Sequence, residues 1–355
     1  MLRNEYFVIG VMSGTSLDGI DLAYVHFTLN KQWQFEIIHA QTIPYPKEWT
    51  NILTNLAKDT IEKIIEIDPR YTNYLGSVIN QFISTFNISR IDFIASHGHT
   101  ALHQPEKGLT YQIGNLEQLS QLLKCTVICD FRTNDVKLGG QGAPLVPIGD
   151  RLLFSGYDYC LNLGGFSNIS FEFNGERKAF DICPVNTVLN FYANKLGFEF
   201  DMNGELSRAG KVKKTLLQEL NSLEYYTQPF PKSLGIEYVN NSVLPLIDGY
   251  QIDVMDILRT FTEHIAVQVA KQISFKINSK VLVTGGGTKN KFLLDRLRFY
   301  SLNEIVVPSN QIIDFKEALI FAFLGVLRFR DEINCLKSVT GANIDHSSGK
   351  IYFLK

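Results

Sequence analysis

The sequence predicts an α/β protein of two domains, and three observations carry that reading. The chain has 355 residues, more than one hydrophobic core usually serves. Its two halves open alike, with a strand, a turn of glycines and hydroxyls, and a returning strand. In the first half, Val8, Ile9 and Val11 lead through Ser13-Gly14-Thr15-Ser16-Leu17-Asp18-Gly19 to Ile20–Phe27. In the second, Tyr159–Leu163 leads through Gly164-Gly165-Phe166-Ser167-Asn168 to Ile169–Phe173. Finally, the apolar strand Lys280–Thr284 runs into Gly285-Gly286-Gly287 and a helix at Lys291–Phe299.

The first turn is richer than a tight hairpin needs. Its glycines let backbone N–H groups approach an anion, its hydroxyls can donate to phosphate oxygens, and Asp18 or Asp21 could hold Mg²⁺ through water. An ordinary Ser/Gly hairpin loop is the alternative. The second turn, Gly164-Gly165, has the same chemistry, and two such hairpins could close on the two ends of a triphosphate.

Composition excludes several classes. Hydrophobic residues make up 45% and charged residues 20%, and the net charge is −2, which gives no reason to expect nucleic acid. The five cysteines, Cys125, Cys129, Cys160, Cys183 and Cys335, are odd in number and sit in apolar contexts without CxxC or Cys/His ligand spacing. Reduced thiols in a cytoplasm are expected. The N-terminus lacks a signal-peptide core, and the longest apolar run, Ala318–Leu327, is too short for a bilayer, so a soluble protein without membrane partner is expected.

Along the chain, Ile52–Ile67 has helical spacing, Pro69 is expected to stop it, and a second helix follows over Tyr71–Phe86. Ile91–Ser96 is a short strand expected to end in a polar loop, Ser96-His97-Gly98-His99-Thr100-Ala101-Leu102-His103. No carboxylate or cysteine completes a metal-ligand pattern there, and a loop at a strand's carboxyl end is well placed to touch a small ligand. After the strand Thr126–Cys129, Arg132 can grip a carboxylate or phosphate, or pair with Asp130 or Asp135. Lys137–Pro147, rich in glycine and proline, suits a crossing between domains. Asp181 follows a strand and precedes a helix reaching Leu196; it is either a helix-dipole partner or a general base. Leu258–Phe275 is a long helix. The triple glycine is not a Rossmann fingerprint, because Asn290 takes its last glycine position, and there is no P-loop. An apolar helix, Phe315–Phe329, and a terminal strand, Lys350–Leu354, complete the chain.

These residues resemble the anhydro-N-acetylmuramic acid kinases, members of the actin/Hsp70/hexokinase-like superfamily. The matching segments are Gly10–Asp21, Ser96-His97-Gly98-His99-Thr100, Asp130-Phe131-Arg132, Gly139–Pro144, Leu161–Asn168, Phe180-Asp181, Pro231-Lys232-Ser233, Gly285–Gly287 with Asn290, and Lys316-Glu317-Ala318. The resemblance implies a two-domain actin-like ATPase (ribonuclease H-like) fold with a central cleft. It places the domains at 1–132 plus 340–355 and at 133–339. It implies ATP and Mg²⁺, with Gly14, Thr15, Ser16, Leu17, Asp18, Gly19 and Asp21 at the phosphates. Gly164, Gly165, Gly285, Gly286, Gly287 and Asn290 would complete the nucleotide site, and His97, Arg132 and Glu317 would face an amino-sugar substrate. Asp181 would activate the water that opens the 1,6-anhydro ring, and O6 would be phosphorylated in the same turnover, a step of cell-wall recycling. A homodimer is an assembly compatible with this reading.

One stretch departs from the family. Where its members usually read FDTGPGN, this chain reads Phe180-Asp181-Ile182-Cys183-Pro184-Val185-Asn186. Ile182 and Val185 are expected to add bulk where phosphate or sugar approaches. That departure motivates two alternatives: a kinase for another sugar such as levoglucosan, or an ATP-binding sugar sensor without phosphotransfer.

Overall fold

The computed structural model describes residues 3–14, 17–56 and 58–354. Thr15 and Ser16, two of the expected phosphate-binding residues, lie outside the described residues. The chain divides into two compact units, Met1–Leu153 with Phe315–Lys355, and Phe154–Asp314.

In the first unit, β1 (Glu5–Ser13), β2 (Ile20–Leu29) and β3 (Trp33–Ile43) form an antiparallel meander. β4 (Phe93–Gln104) runs parallel to β1, β5 (Leu109–Ile113) folds back on β4, and β6 (Val127–Cys129) runs parallel to β4. The C-terminal strand Lys350–Tyr352 closes the sheet antiparallel to β6. One face packs Ile9, Val11, Leu22 and Ile94 against Tyr71, Leu75 and Phe82 of the helix Ile61–Thr85. On β1, Gly10 permits a close approach by the helix Asn310–Phe329, since a Cβ there would lie 2.0 Å from the Ala318 carbonyl oxygen. That helix is buried all round over Ala318–Leu324, which is why its sequence is almost wholly apolar.

Pro69 does not stop a helix. The break falls earlier: one helix is Lys47–Leu56, Thr60 caps the next, and Pro69 lies inside Ile61–Thr85. Losing a helical hydrogen bond at proline costs about 3 kcal/mol. Burial of Ile64, Ile67, Tyr71 and Leu75 in one stripe on both sides of Pro69 offsets it. The neighbouring Asp68 carboxylate also ties the helix to β5, accepting from Gly114 N–H at 2.7 Å and Tyr111 Oη at 2.8 Å.

In the second unit, β7 (Tyr159–Leu163), β8 (Phe166–Phe173) and β9 (Glu176–Pro184) are antiparallel neighbours. β10 (Lys280–Thr284) is parallel to β7, and β11 (Glu304–Val306) is parallel to β10. The order β3-β2-β1-β4-β6 is thus repeated as β9-β8-β7-β10-β11, with the same strand directions. Three antiparallel strands followed by two parallel ones is the ribonuclease H-like arrangement, and its duplication is the actin-like fold.

The units divide at 153/154 and 314/315, whereas the expected boundaries fell at 132/133 and 339/340. Residues 133–153 are tied into the first unit: Gly142 N–H donates to Asp135 at 2.7 Å, as does the Thr340 hydroxyl, and Gln141 N–H donates to the Thr340 carbonyl at 2.8 Å. The Gly/Pro-rich segment is therefore a folded loop of that unit and not the crossing itself.

Candidate active site

The opening turn of the first unit hangs on Ser13, the last residue of β1. The Ser13 hydroxyl is buried and meets Tyr45 Oη at 2.6 Å, His99 Nδ1 at 2.8 Å and Tyr71 Oη at 3.0 Å, while the two phenols meet each other at 2.7 Å. Burial pushes Tyr45 up to about 12 and lowers His99 to about 4. These groups are neutral and serve as hydrogen-bonding anchors. Beyond Ser13, Leu17 has a φ of 60° and Gly19 approaches β3 closely, since a Cβ would lie 2.7 Å from the Ile43 carbonyl oxygen. Asp18 is exposed, and Asp21, at the start of β2, accepts from Thr42 Oγ1 at 2.6 Å. Sequence reasoning missed Tyr45 and Tyr71, which no local motif connects to Ser13.

His97 and His99 lie within β4, not in a loop: pairing continues past Ser96, and both rings are buried. Arg132 Nε donates to His97 Nε2 at 2.8 Å, and Arg132 Nη1 donates to the Gly142 carbonyl at 2.6 Å. His97 Nδ1 lies 2.8 Å from the Gly98 carbonyl, so the proton is on Nδ1 and Nε2 carries the lone pair. Burial and then the Arg132 charge hold the His97 imidazole well below its usual range. Burial also lowers the Arg132 guanidinium, and Glu317 is the strongest charge opposing that. The surrounding protein raises the Glu317 carboxyl, with Arg132 the chief opposing influence. The structure thus brings His97, Arg132 and Glu317 into one electrostatic group. Arg132 is neither ion-paired to Asp130 nor to Asp135: Asp130 pairs with Lys350 at 2.7 Å, and Asp135 binds Gly142 and Thr340.

In the second unit Asp181 lies within β9 rather than after a strand. One carboxylate oxygen accepts from Leu234 N–H at 2.9 Å, the Asp181 N–H donates to the Lys232 carbonyl at 3.1 Å, and Tyr225 Oη donates to the Asp181 carbonyl at 2.6 Å. Lys232 Nζ in turn donates to the Tyr225 carbonyl at 2.9 Å. The segment 225–234 therefore clamps Asp181 from both ends. Burial raises the carboxyl, and the Leu234 hydrogen bond only partly offsets this, making Asp181 a stronger base than a surface aspartate. Pro231-Lys232-Ser233 was the only local signal for this clamp.

The residues after Asp181 are turned inward. Ile182, Cys183 and Val185 are at most 1% exposed and belong to the core with Val188, Leu189 and Phe261. Cys183 also exchanges backbone and hydroxyl hydrogen bonds with Ser167 at 3.0–3.1 Å. The expected bulk toward a ligand is corrected accordingly: alternation along β9 sends Ile182 to the core side, opposite Asp181.

The second unit also gathers its glycines. The Gly165 carbonyl accepts from Val185 and Thr187 N–H, and the Gly164 carbonyl from Asn186 N–H, so this turn caps the helix Asn186–Lys195. Gly285 has a φ of 85°, and a Cβ would lie 2.5 Å from Asn162 Oδ1, so the fold itself demands glycine. Gly287 is pressed against Leu163. Gly286 is different: a Cβ would meet nothing nearer than Asn186 Nδ2 at 3.8 Å. Asn290 is buried and caps the helix Lys291–Tyr300, accepting from Leu293 N–H at 2.9 Å.

The buried histidines make stability acid-sensitive. His264 donates to Asn221 and accepts from Tyr226 at 2.8 and 2.9 Å, and burial lowers it to about 3. A histidine neutral when folded and near 6.5 when unfolded leaves the unfolded state holding more protons below pH 6.5. Stability then falls as pH drops from about 6.5 toward 4, by up to about 1.4 kcal/mol per pH unit for each such group. Thermal melts from pH 7 to 5 are expected to show a falling Tm, with a shallower pH slope in His264→Gln. Equal slopes would refute the assignment.

A sequence model described as anhydro-N-acetylmuramic acid kinase matches residues 6–354. The anhydro-N-acetylmuramic acid kinase of Pasteurella multocida is 35% identical over 372 aligned residues, covering 99% of this chain and 98% of its own. That of Haemophilus influenzae is 32% identical over 381 aligned residues, with the same coverage of each. Among the described residues, no helix is long and apolar enough to cross a membrane.

Proposed function

The chain belongs to the anhydro-N-acetylmuramic acid kinase family, and on that premise we propose that it uses ATP to convert 1,6-anhydro-N-acetylmuramic acid to N-acetylmuramic acid 6-phosphate in the cytoplasm. The observation that carries the site assignment is the clamped carboxylate of Asp181, its basicity raised by burial. With one oxygen held by Leu234, the other is oriented to take a proton from water. The water oxygen bonds to the anomeric carbon, the bond from that carbon to O6 breaks, and O6 attacks the γ-phosphorus as ADP leaves. His97 holds Arg132 by its unprotonated nitrogen, leaving the guanidinium a fixed fork for a carboxylate-bearing sugar. Glu317, exposed, offers an acceptor to a sugar hydroxyl.

Asp18 and Asp21 are oxygen donors that fit Mg²⁺ held largely through water and phosphate, the pattern usual for this ion at nucleotide sites. When bound, Mg²⁺ would neutralise charge on the phosphates. On this reading Gly14 and Gly19 would lie at the phosphates, and Gly286, whose surroundings leave room for a side chain, would be open to close approach by the nucleotide.

Two measurements test this. ADP release should depend on 1,6-anhydro-N-acetylmuramic acid, with a product heavier by one water and one phosphoryl group (HPO3); levoglucosan should be a poor substitute. ATP binding without sugar-dependent ADP release would sink the kinase reading. Burial of Ile182, Cys183 and Val185 removes the reason for expecting another sugar. Separately, Gly286→Ala should keep stability within about 0.5 kcal/mol yet raise the KM for ATP about tenfold, or about 1.4 kcal/mol. An unchanged KM would remove Gly286 from the nucleotide site.

A further inference from the structure

The geometry points to a binding site for a zinc-class transition metal in the first unit, formed by Asp135 Oδ, Cys335 Sγ and His346 Nε2. These three atoms lie within 4.8 Å of one another, and the residues are all buried. No local spacing joins them. Asp135 follows Arg132 by three residues, and Cys335 and His346 come from the last segment of the chain.

The fold positions each donor. Cys335 and His346 face each other as an antiparallel bridge, with Cys335 N–H to His346 carbonyl at 3.0 Å and His346 N–H to Cys335 carbonyl at 3.1 Å. That bridge fixes both backbones, and Asn334 N–H adds a bond to the same His346 carbonyl at 3.1 Å. His346 Nδ1 lies 3.1 Å from the Ile344 carbonyl, an acceptor only, so Nδ1 carries a proton. In the neutral ring Nε2 then presents a lone pair. The His346 ring is 93% buried, and among the described residues Nε2 meets no hydrogen-bond partner; it lies 3.5 Å from Asp135 Oδ1. A lone pair facing a carboxylate in a buried place is unfavourable unless a cation stands between them or the ring is protonated. Asp135 is oriented by Thr340 Oγ1 on one oxygen and Gly142 N–H on the other, both at 2.7 Å, which leaves it acceptor capacity.

A nitrogen donor backed by a backbone carbonyl and a carboxylate held by hydrogen bonds are the supports that metal ligands usually have. The donor set selects the metal class. A thiolate with imidazole and carboxylate suits Zn²⁺ and its neighbours and disfavours Mg²⁺ or Ca²⁺. Tetrahedral zinc with bonds of about 2.0–2.3 Å sets its ligands about 3.3–3.8 Å apart, so closure asks for side-chain shifts of about an ångström. Binding releases the Cys335 proton to solvent as the thiolate forms. The site also touches the sugar-binding group: Gly142 accepts from Arg132 through its carbonyl and donates to Asp135 through its N–H.

Co²⁺ is the probe. The whole chain, stripped with chelator, is titrated with Co²⁺ and the near-ultraviolet thiolate-to-cobalt band is followed, with bound metal counted by mass spectrometry. One equivalent per chain with that band is expected, displaced by Zn²⁺. Cys335→Ser should lose the band, His346→Gln and Asp135→Asn should each weaken binding at least tenfold, and Cys125→Ser should match wild type. Circular dichroism establishes that each variant is folded, and the wild-type titration stands if one is not. Absence of the band in wild type, or its persistence in folded Cys335→Ser, would overturn the site.

Discussion

Asp181→Asn is expected to lower kcat by about 10³–10⁴, the range a positioned general base contributes, while ATP affinity stays within a few-fold of wild type. The amide oxygen of asparagine can still accept from Leu234 N–H, so the clamp made by residues 225–234 survives; the proton acceptor does not. Coupled ADP release and calorimetric ATP binding separate these effects. The pH profile adds a sign. In the proposed role the Asp181 carboxylate acts ionised, and burial raises its pKa, so kcat/KM should fall on acidification at a pH above the ordinary aspartate value of 3.8. Residual activity of Asp181→Asn should lack that limb. Wild-type rates in Asp181→Asn would assign the base elsewhere.

Lys316→Met is expected to destabilise the protein by about 3–5 kcal/mol, because it removes the ammonium that lies against the buried Asp150 carboxylate. Lys316 Nζ lies 2.7 Å from Asp150 Oδ1, and the side chains are only 9% and 5% exposed. The pair ties the helix Val146–Leu153 to the helix that carries Glu317. Replacing both partners, as Asp150→Leu with Lys316→Met, should recover much of the loss, since neither charge then remains buried. Urea unfolding of the two single variants and the double variant measures the coupling. A cost under about 1 kcal/mol for Lys316→Met would mean that Asp150 finds another solution on losing lysine.

What local pattern could reveal, it did. β1 with β2 and β7 with β8 are hairpins whose strands alternate and whose turns carry glycine, so their repetition was visible. β3 carries no clear strand signal in the sequence, because pairing with β2 slips one residue between Tyr24 and Val25 and breaks the alternation of Trp33–Ile43. The later part of β4 reads locally as a polar loop. His97 and His99 are strand residues because β5 pairs with that end, and because Arg132 and Ser13 satisfy the buried rings.

By itself the sequence determined the α/β class, the doubled opening motif, the family and the candidacy of Asp181, Arg132 and Glu317. Each depends on residue types close together in the chain, or on motifs that survive in order. Only the tertiary structure decided which way Ile182, Cys183 and Val185 point, where the units divide, how Tyr45 and Tyr71 anchor Ser13, and that Asp135 meets Cys335 and His346. Those outcomes depend on burial and on contacts between residues up to about two hundred positions apart. No local periodicity encodes them; packing does.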